Sequence, residues 1–113
     1  YDIIVDGCDN FETRNLIDEV CYRLGKPYVY GAIQGFEGQV SVFDKKFSTI
    51  RYRDLFPGSP QTRTTAVMGM TASVVGGIQA HEVIKIVCGY GNILYNRLWT
   101  INLKTMQCNT IEL

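Results

Sequence analysis

What most constrains this chain is its opening pattern: two apolar runs flanking a capped helix, joined by very short connections. Residues 1–5 form an apolar run with β-branched members that ends in Asp6-Gly7. A run without polar alternation suits a strand covered on both faces, as in a parallel sheet. Asp9 and Asn10 offer N-cap chemistry, with Glu12 in the turn that follows. Residues 11–24 read as a helix, because Leu16, Ile17, Val20, Cys21 and Leu24 recur at helical spacing. Gly25 stops it and Pro27 follows. Residues 27–33 then carry Tyr28, Val29, Tyr30 and Ile33, a second β-rich run. Strand, helix and strand with short links predict a right-handed crossover, the unit of open α/β sheets. The chain opens at Tyr1-Asp2-Ile3 without Met, inside the first apolar run, and is therefore expected to be a piece of a longer protein.

The remaining pattern extends the sheet differently. Residues 34–38, Gln34-Gly35-Phe36-Glu37-Gly38, read as a turn, and residues 39–43 as a strand whose alternation is imperfect. A hairpin there adds antiparallel strands to the parallel ones. Residues 44–65 show little periodicity and hold Pro57, Gly58 and Pro60, which reads as a long loop. Residues 68–88 read as a long helix. Its first half is small (Gly69, Thr71, Ala72, Ser73, Gly76, Gly77), which lets another backbone approach, and its second half is amphipathic. Gly89-Tyr90-Gly91-Asn92 ends it, and residues 94–103 and 106–113 form two further strands about a turn at Lys104-Thr105. The fold class is α/β: a Rossmann-like mixed sheet, parallel strands continued by antiparallel ones.

Composition removes several functions. Eleven basic and eleven acidic residues leave no net charge, so no long-range field draws nucleic acid or an anionic membrane. Apolar stretches are broken well before the roughly 18 residues a bilayer span needs, and no signal peptide is visible. Cys8, Cys21, Cys88 and Cys108 are scattered without a C-x-x-C pair, which suits a reducing, cytoplasmic setting. Cys21 and Cys88 fall on apolar helix faces and are expected to be buried. The phosphate-loop, H-E-x-x-H and G-x-G-x-x-G patterns are absent, and the lone His81 reads as surface or structural.

One constellation stands out. Asp6-Gly7-Cys8-Asp9-Asn10 lies at a strand's carboxyl end and opens a helix, where open α/β sheets bind ligands. A carboxylate there can hold Mg²⁺ against a phosphate; the alternative is a plain helix cap. Gly31 to Gly38 offers a second backbone surface, or simply a turn between strands.

Asp6, Asp9, Asn10 and Arg14 follow the spacing D-x-x-D-N-x-x-x-R, which resembles the signature of the ThiF/MoeB/HesA family, the bacterial relatives of ubiquitin-activating enzymes. The resemblance continues through Gly25-Lys26-Pro27-Tyr28-Val29-Tyr30-Gly31, Gly35-Phe36-Glu37-Gly38-Gln39-Val40, Tyr52-Arg53-Asp54-Leu55-Phe56-Pro57 and Gly76-Gly77-Ile78-Gln79-Ala80-His81-Glu82-Val83-Ile84-Lys85. It implies that residues 1–113 are the C-terminal part of an adenylation domain whose nucleotide-binding half lies upstream. It implies use of ATP and Mg²⁺ to adenylate the C-terminal glycine carboxylate of a ubiquitin-fold sulfur carrier ending in Gly-Gly, of thiamin or molybdopterin type, by a cytoplasmic homodimer. Asp9 matches the family's catalytic, Mg²⁺-binding aspartate, and Asn10, Cys8 and Arg14 neighbour it as cofactor-binding positions. Arg51 and Asp54 stand where many members carry the first C-x-x-C of a zinc site, so no zinc is expected. Thr62 stands near the acceptor cysteine of some members, which argues against thioester or persulfide chemistry there. The alternative is a module that binds a ubiquitin-fold partner without adenylating it. A nicotinamide-dependent dehydrogenase is disfavoured, because no hydride-site motif or paired catalytic His is visible.

Overall fold

The computed structural model describes residues 1–8, 10–55 and 69–113. In chain order the elements are β1 (Ile4–Val5), α1 (Phe11–Leu24), β2 (Tyr28–Gln34), β3 (Glu37–Phe43), α2 (Tyr52–Leu55), α3 (Gly69–Cys88), β4 (Arg97–Asn102) and β5 (Gln107–Glu112). The strands lie in sequence order in one sheet. The β1–β2 pair is parallel and every other pair is antiparallel. This is the mixed α/β sheet expected from the sequence.

The side chains of β2 alternate between two cores. Tyr28 and Tyr30 turn to one face, where they meet Phe43, Tyr52 and Cys21. The rings of Tyr30 and Tyr52 are 5.2 Å apart, and those of Tyr28 and Phe43 6.1 Å, within the range where aromatic pairs attract beyond their buried area. Val29 turns the other way, into a core with Val40, Val42, Val75 and Leu94 beneath α3. Val40, Ser41 and Val42 are all fully buried, so β3 is covered on both faces and its sequence lacks strict alternation. Gly35 turns the β2–β3 hairpin at φ +59°, a left-handed conformation that favours glycine.

Gly31 and Gly38 seat α3 on the sheet. A Cβ at Gly31 would stand 2.4 Å from the Gln79 side chain, and one at Gly38 2.4 Å from Val75. The close approach read into the small half of the long helix therefore occurs on the strands. Nothing described comes within 4 Å of a Cβ built at Gly76 or Gly77. Those residues follow Val75 by one and two positions, about 100° and 200° around the helix, off its sheet-facing side.

The structure corrects four further expectations. The first strand is two residues long and not sealed on both faces, because it is the edge of the described sheet and Val5 is exposed. The apolar stripe of α1 divides: Ile17 and Cys21 meet the aromatic core, while Leu16, Val20 and Leu24 are exposed. Asp18 is buried instead, accepting a bond from Arg51 Nη2 at 3.0 Å and from the Tyr52 amide at 3.3 Å, which ties α2 to α1. Cys88 is exposed, because it follows Ile86, which packs toward the sheet, by about 200° of helix. The stretch from Asp44 contains the helical turn α2, and the Arg51 amide donates to Asp54 Oδ2 at 3.0 Å. Residues 56–65 of that expected loop, with Pro57, Pro60 and Thr62, lie outside the described residues.

Candidate active site

The segment between β1 and α1 is held by one buried carboxylate. Asp6 follows directly on β1, and its amide bonds to Val29 O at 2.9 Å, extending the parallel ladder. Its Oδ1 accepts the Cys8 amide and the Cys8 thiol, each at 3.0 Å. Its Oδ2 accepts Arg14 Nε and the Tyr28 hydroxyl, each at 2.9 Å. Four donors on one carboxylate make the satisfied arrangement that a buried charge requires. The aromatic face of β2 places the Tyr28 hydroxyl, and the first turn of α1 places Arg14.

Arg14 completes the clamp. Its Nη2 donates to Cys8 O at 2.9 Å and to Gly31 O at 3.4 Å, and its guanidinium lies 5.7 Å from the Tyr30 ring centre. Burial alone would lower its pKa, but the Asp6 charge and hydrogen bond outweigh that and raise it. From the opposite face of the sheet, Gln79 Nε2 donates to Asp6 O at 3.0 Å and to Val29 O at 3.3 Å. Asp6 and Cys8 are thus held by β2, by α1 and, through Gln79, by α3.

Of the residues singled out in the sequence, Asn10 is the N-cap of α1, its Oδ1 accepting the Thr13 amide at 2.7 Å. Cys8 sits inside the clamp, and burial and then the Asp6 hydrogen bond push its thiol up to about 11, far from nucleophilic at neutral pH. Asp9 lies outside the described residues; its neighbours Cys8 and Asn10 are both anchored. His81 is remote, on the exposed side of α3, with Nε2 2.8 Å from the Tyr90 hydroxyl. Tyr28 and Gln79 are site residues that the sequence does not single out. They lie 22 and 73 positions from Asp6, both within stretches that carry the family resemblance, and Gln79 is also a polar residue four after Val75 on the inner side of an apolar helix.

The carboxylate of Asp6 is fully engaged and offers nothing to a metal. Among the described residues no group of three or more His, Cys, Asp or Glu could hold one. Nor does any described helix have the length and apolar character to cross a membrane.

Comparison with known proteins places this arrangement. A family model described as the ThiF family matches residues 1–113. A probable molybdopterin-synthase adenylyltransferase from Pyropia yezoensis is 40% identical over 120 residues, covering 100% of this chain and 32% of that protein. A probable adenylyltransferase/sulfurtransferase MoeZ from Mycobacterium tuberculosis is 37% identical over 122 residues, covering 100% and 31%. The chain thus spans about a third of the length of these relatives. Among solved structures, E. coli MccB with MccA-N7isoASN superposes with a TM-score of 0.83 at 18% identity, covering 98% of this chain and 37% of that one. E. coli MccB with ATP gives 0.81 at 18%, covering 98% and 36%. At such identity the likeness is one of fold, whereas the family match runs the full length of the chain. The chain belongs to the ThiF family.

Proposed function

We propose that the chain is part of a longer enzyme that uses ATP to adenylate the C-terminal carboxylate of a ubiquitin-fold sulfur carrier ending in Gly-Gly. The carrier oxygen attacks the α-phosphorus, the bond to pyrophosphate breaks, and an acyl-adenylate forms. The names of relatives, molybdopterin-synthase adenylyltransferase and MoeZ, favour a molybdopterin-type carrier over a thiamin-type one. The proposal includes a homodimer in the cytoplasm, in keeping with four cysteines that are all free thiols.

The clamp around Asp6 is the observation that carries this reading. A charged network of that density at a strand's carboxyl end costs desolvation and is justified by the segment it immobilises. Asp6 and Arg14 act as positioning residues. Cys8 and Asn10, both anchored, line the site, and Asp9, between them in sequence, is the residue proposed to hold Mg²⁺ on the family resemblance. When bound, the metal would neutralise charge on the nucleotide phosphates. Cys8 supplies no nucleophile, because its thiol is already donated to Asp6.

The test is ATP–pyrophosphate exchange by the complete protein, with purified molybdopterin-type and thiamin-type carriers. Exchange that requires one of them supports the reading. Tight carrier binding without exchange would leave a binding module instead.

A further inference from the structure

A helix of four residues has no stability of its own, so α2 is held by what it touches. Its first residue, Tyr52, is 3% exposed and enters the aromatic layer. Three of the rings it meets belong to residues that hold the turn after β1 or adjoin it. The Tyr28 ring, 6.4 Å away, carries the hydroxyl that bonds Asp6 Oδ2. The Tyr30 ring, 5.2 Å away, faces the Arg14 guanidinium. The Phe11 ring, 6.1 Å away, belongs to the first residue of α1, next to the N-cap Asn10. All three distances fall within the range of attractive ring pairs. Tyr52 also reaches Arg14 itself: burial raises the pKa of its hydroxyl, against the opposing Arg14 charge and a hydrogen bond with Arg14.

Charge holds α2 in that position. Arg51 Nη2 donates to Asp18 Oδ2 at 3.0 Å and to Glu19 Oε2 at 3.2 Å. Arg53 Nη2 donates to the same Glu19 oxygen, and its Nε stands 3.4 Å from Asp18 Oδ2. The Arg51 guanidinium also stacks on Tyr22, 3.9 Å from its ring centre. Asp18 lies one turn after Arg14 on α1, so these pairs fasten α2 beside the stretch of helix that carries the clamp. Burying Asp18 costs desolvation, and what it fastens is the element that carries Tyr52.

We propose that Tyr52 is a positioning residue for the Asp6–Arg14 clamp, held in place by the ion pairs of Asp18 and Glu19 with Arg51 and Arg53. The clamp keeps its geometry only while α2 is docked on α1. Tyr52 then acts through Tyr28, Tyr30 and Arg14, and touches no reacting atom. Its role in the reaction rests on the adenylation reading; its coupling to the clamp does not.

The test is hydrogen–deuterium exchange in the complete protein without nucleotide, read at the Asp6 and Cys8 amides, which bond to Val29 O and Asp6 Oδ1. The reference is β4, two strands from β2, because a loss of overall stability would speed both places alike. Tyr52→Leu should speed exchange at Asp6 and Cys8 about tenfold or more and leave β4 unchanged. Tyr52→Phe keeps the ring and should stay within about threefold of the parent. Asp18→Asn keeps the volume but loosens the ion pairs, and should show the same selective acceleration even if Tyr52→Leu does not fold. Unchanged protection at Asp6 and Cys8 in either Tyr52→Leu or Asp18→Asn, or equal acceleration in β4, would overturn the proposal. Pyrophosphate exchange should fall about tenfold in Tyr52→Leu and recover in Tyr52→Phe, as expected when a positioned group is loosened. A loosened clamp with parent-like pyrophosphate exchange would overturn the positioning role. No pyrophosphate exchange by the parent with any carrier would sink the adenylation reading alone, and leave the coupling of Tyr52 to the clamp standing.

Discussion

Replacing Arg14 with Met separates two accounts of that residue. In the clamp, the Arg14 side chain is 15% exposed and that of Asp6 is 0% exposed. Removing the guanidinium leaves the Asp6 carboxylate buried with only neutral donors, the Tyr28 hydroxyl and the two Cys8 groups. Breaking a buried pair from one side typically costs about 3–5 kcal/mol, against about 0–1 kcal/mol for a surface pair. The Arg14 contacts to Cys8 O and Gly31 O are lost as well, so a value toward the upper end is expected. Tyr28→Phe removes one bond to the same carboxylate and should cost less, about 1.5–3 kcal/mol. Arg14→Lys keeps the charge but cannot reach Asp6 Oδ2 and Cys8 O together, and should not restore stability. The assay is the urea midpoint of the complete protein without nucleotide, beside the KM for ATP. If Arg14 served only to contact phosphate, Arg14→Met would raise the KM for ATP and leave the unfolding free energy within about 1 kcal/mol of the parent. That result would refute the clamp as a structural device.

The glycines should divide by what lies above them. Gly31→Ala pushes into Gln79 and should cost about 1–3 kcal/mol, whereas Gly76→Ala meets nothing described and should stabilise by up to about 1 kcal/mol, both read as midpoint shifts. The raised thiol of Cys8 predicts a pH dependence of definite sign. Its protonated form is favoured by folding, so that stability is fully present below an ordinary thiol pKa and is lost as pH rises through about 11. Iodoacetamide at pH 8 should therefore spare Cys8 while labelling the exposed Cys88 and Cys108, as peptide mapping would show. Asn10→Ala should cost about 1 kcal/mol through loss of the cap, measured by the same denaturation.

The architecture was largely legible because its signals are local. Asn10, Gly25 and Pro27 bracket α1, and its bounds match the spacing that predicted them. The β2–β3 hairpin follows from Gly35, and the β4–β5 turn from Lys104-Thr105. What was not legible depends on which side of a helix meets the sheet. The repeat Leu16, Val20, Leu24 reads as a buried stripe, yet Arg51, 33 positions from Asp18, makes it possible to bury the acid instead. Cys88 is exposed for the same reason: an apolar neighbourhood in sequence does not say which way α3 is rotated. At the site, the motif marked Asp6 and Arg14 by spacing, but their bond to each other became visible only in three dimensions. Gln79 and Tyr28 reach Asp6 from elements far along the chain, which no local pattern encodes.

The account stands or falls on Asp9, the aspartate proposed to hold Mg²⁺. The decisive measurement is carrier-dependent pyrophosphate exchange by Asp9→Ala in the complete protein, with the urea midpoint taken on the same sample. The prediction is a loss of at least about a hundredfold in exchange, the scale of removing one charge-stabilising contact in the transition state, with an unchanged midpoint. Near-normal exchange with a lowered midpoint, a loss of about 1 kcal/mol in unfolding free energy, would make Asp9 a part of the helix cap and contradict the metal-site assignment.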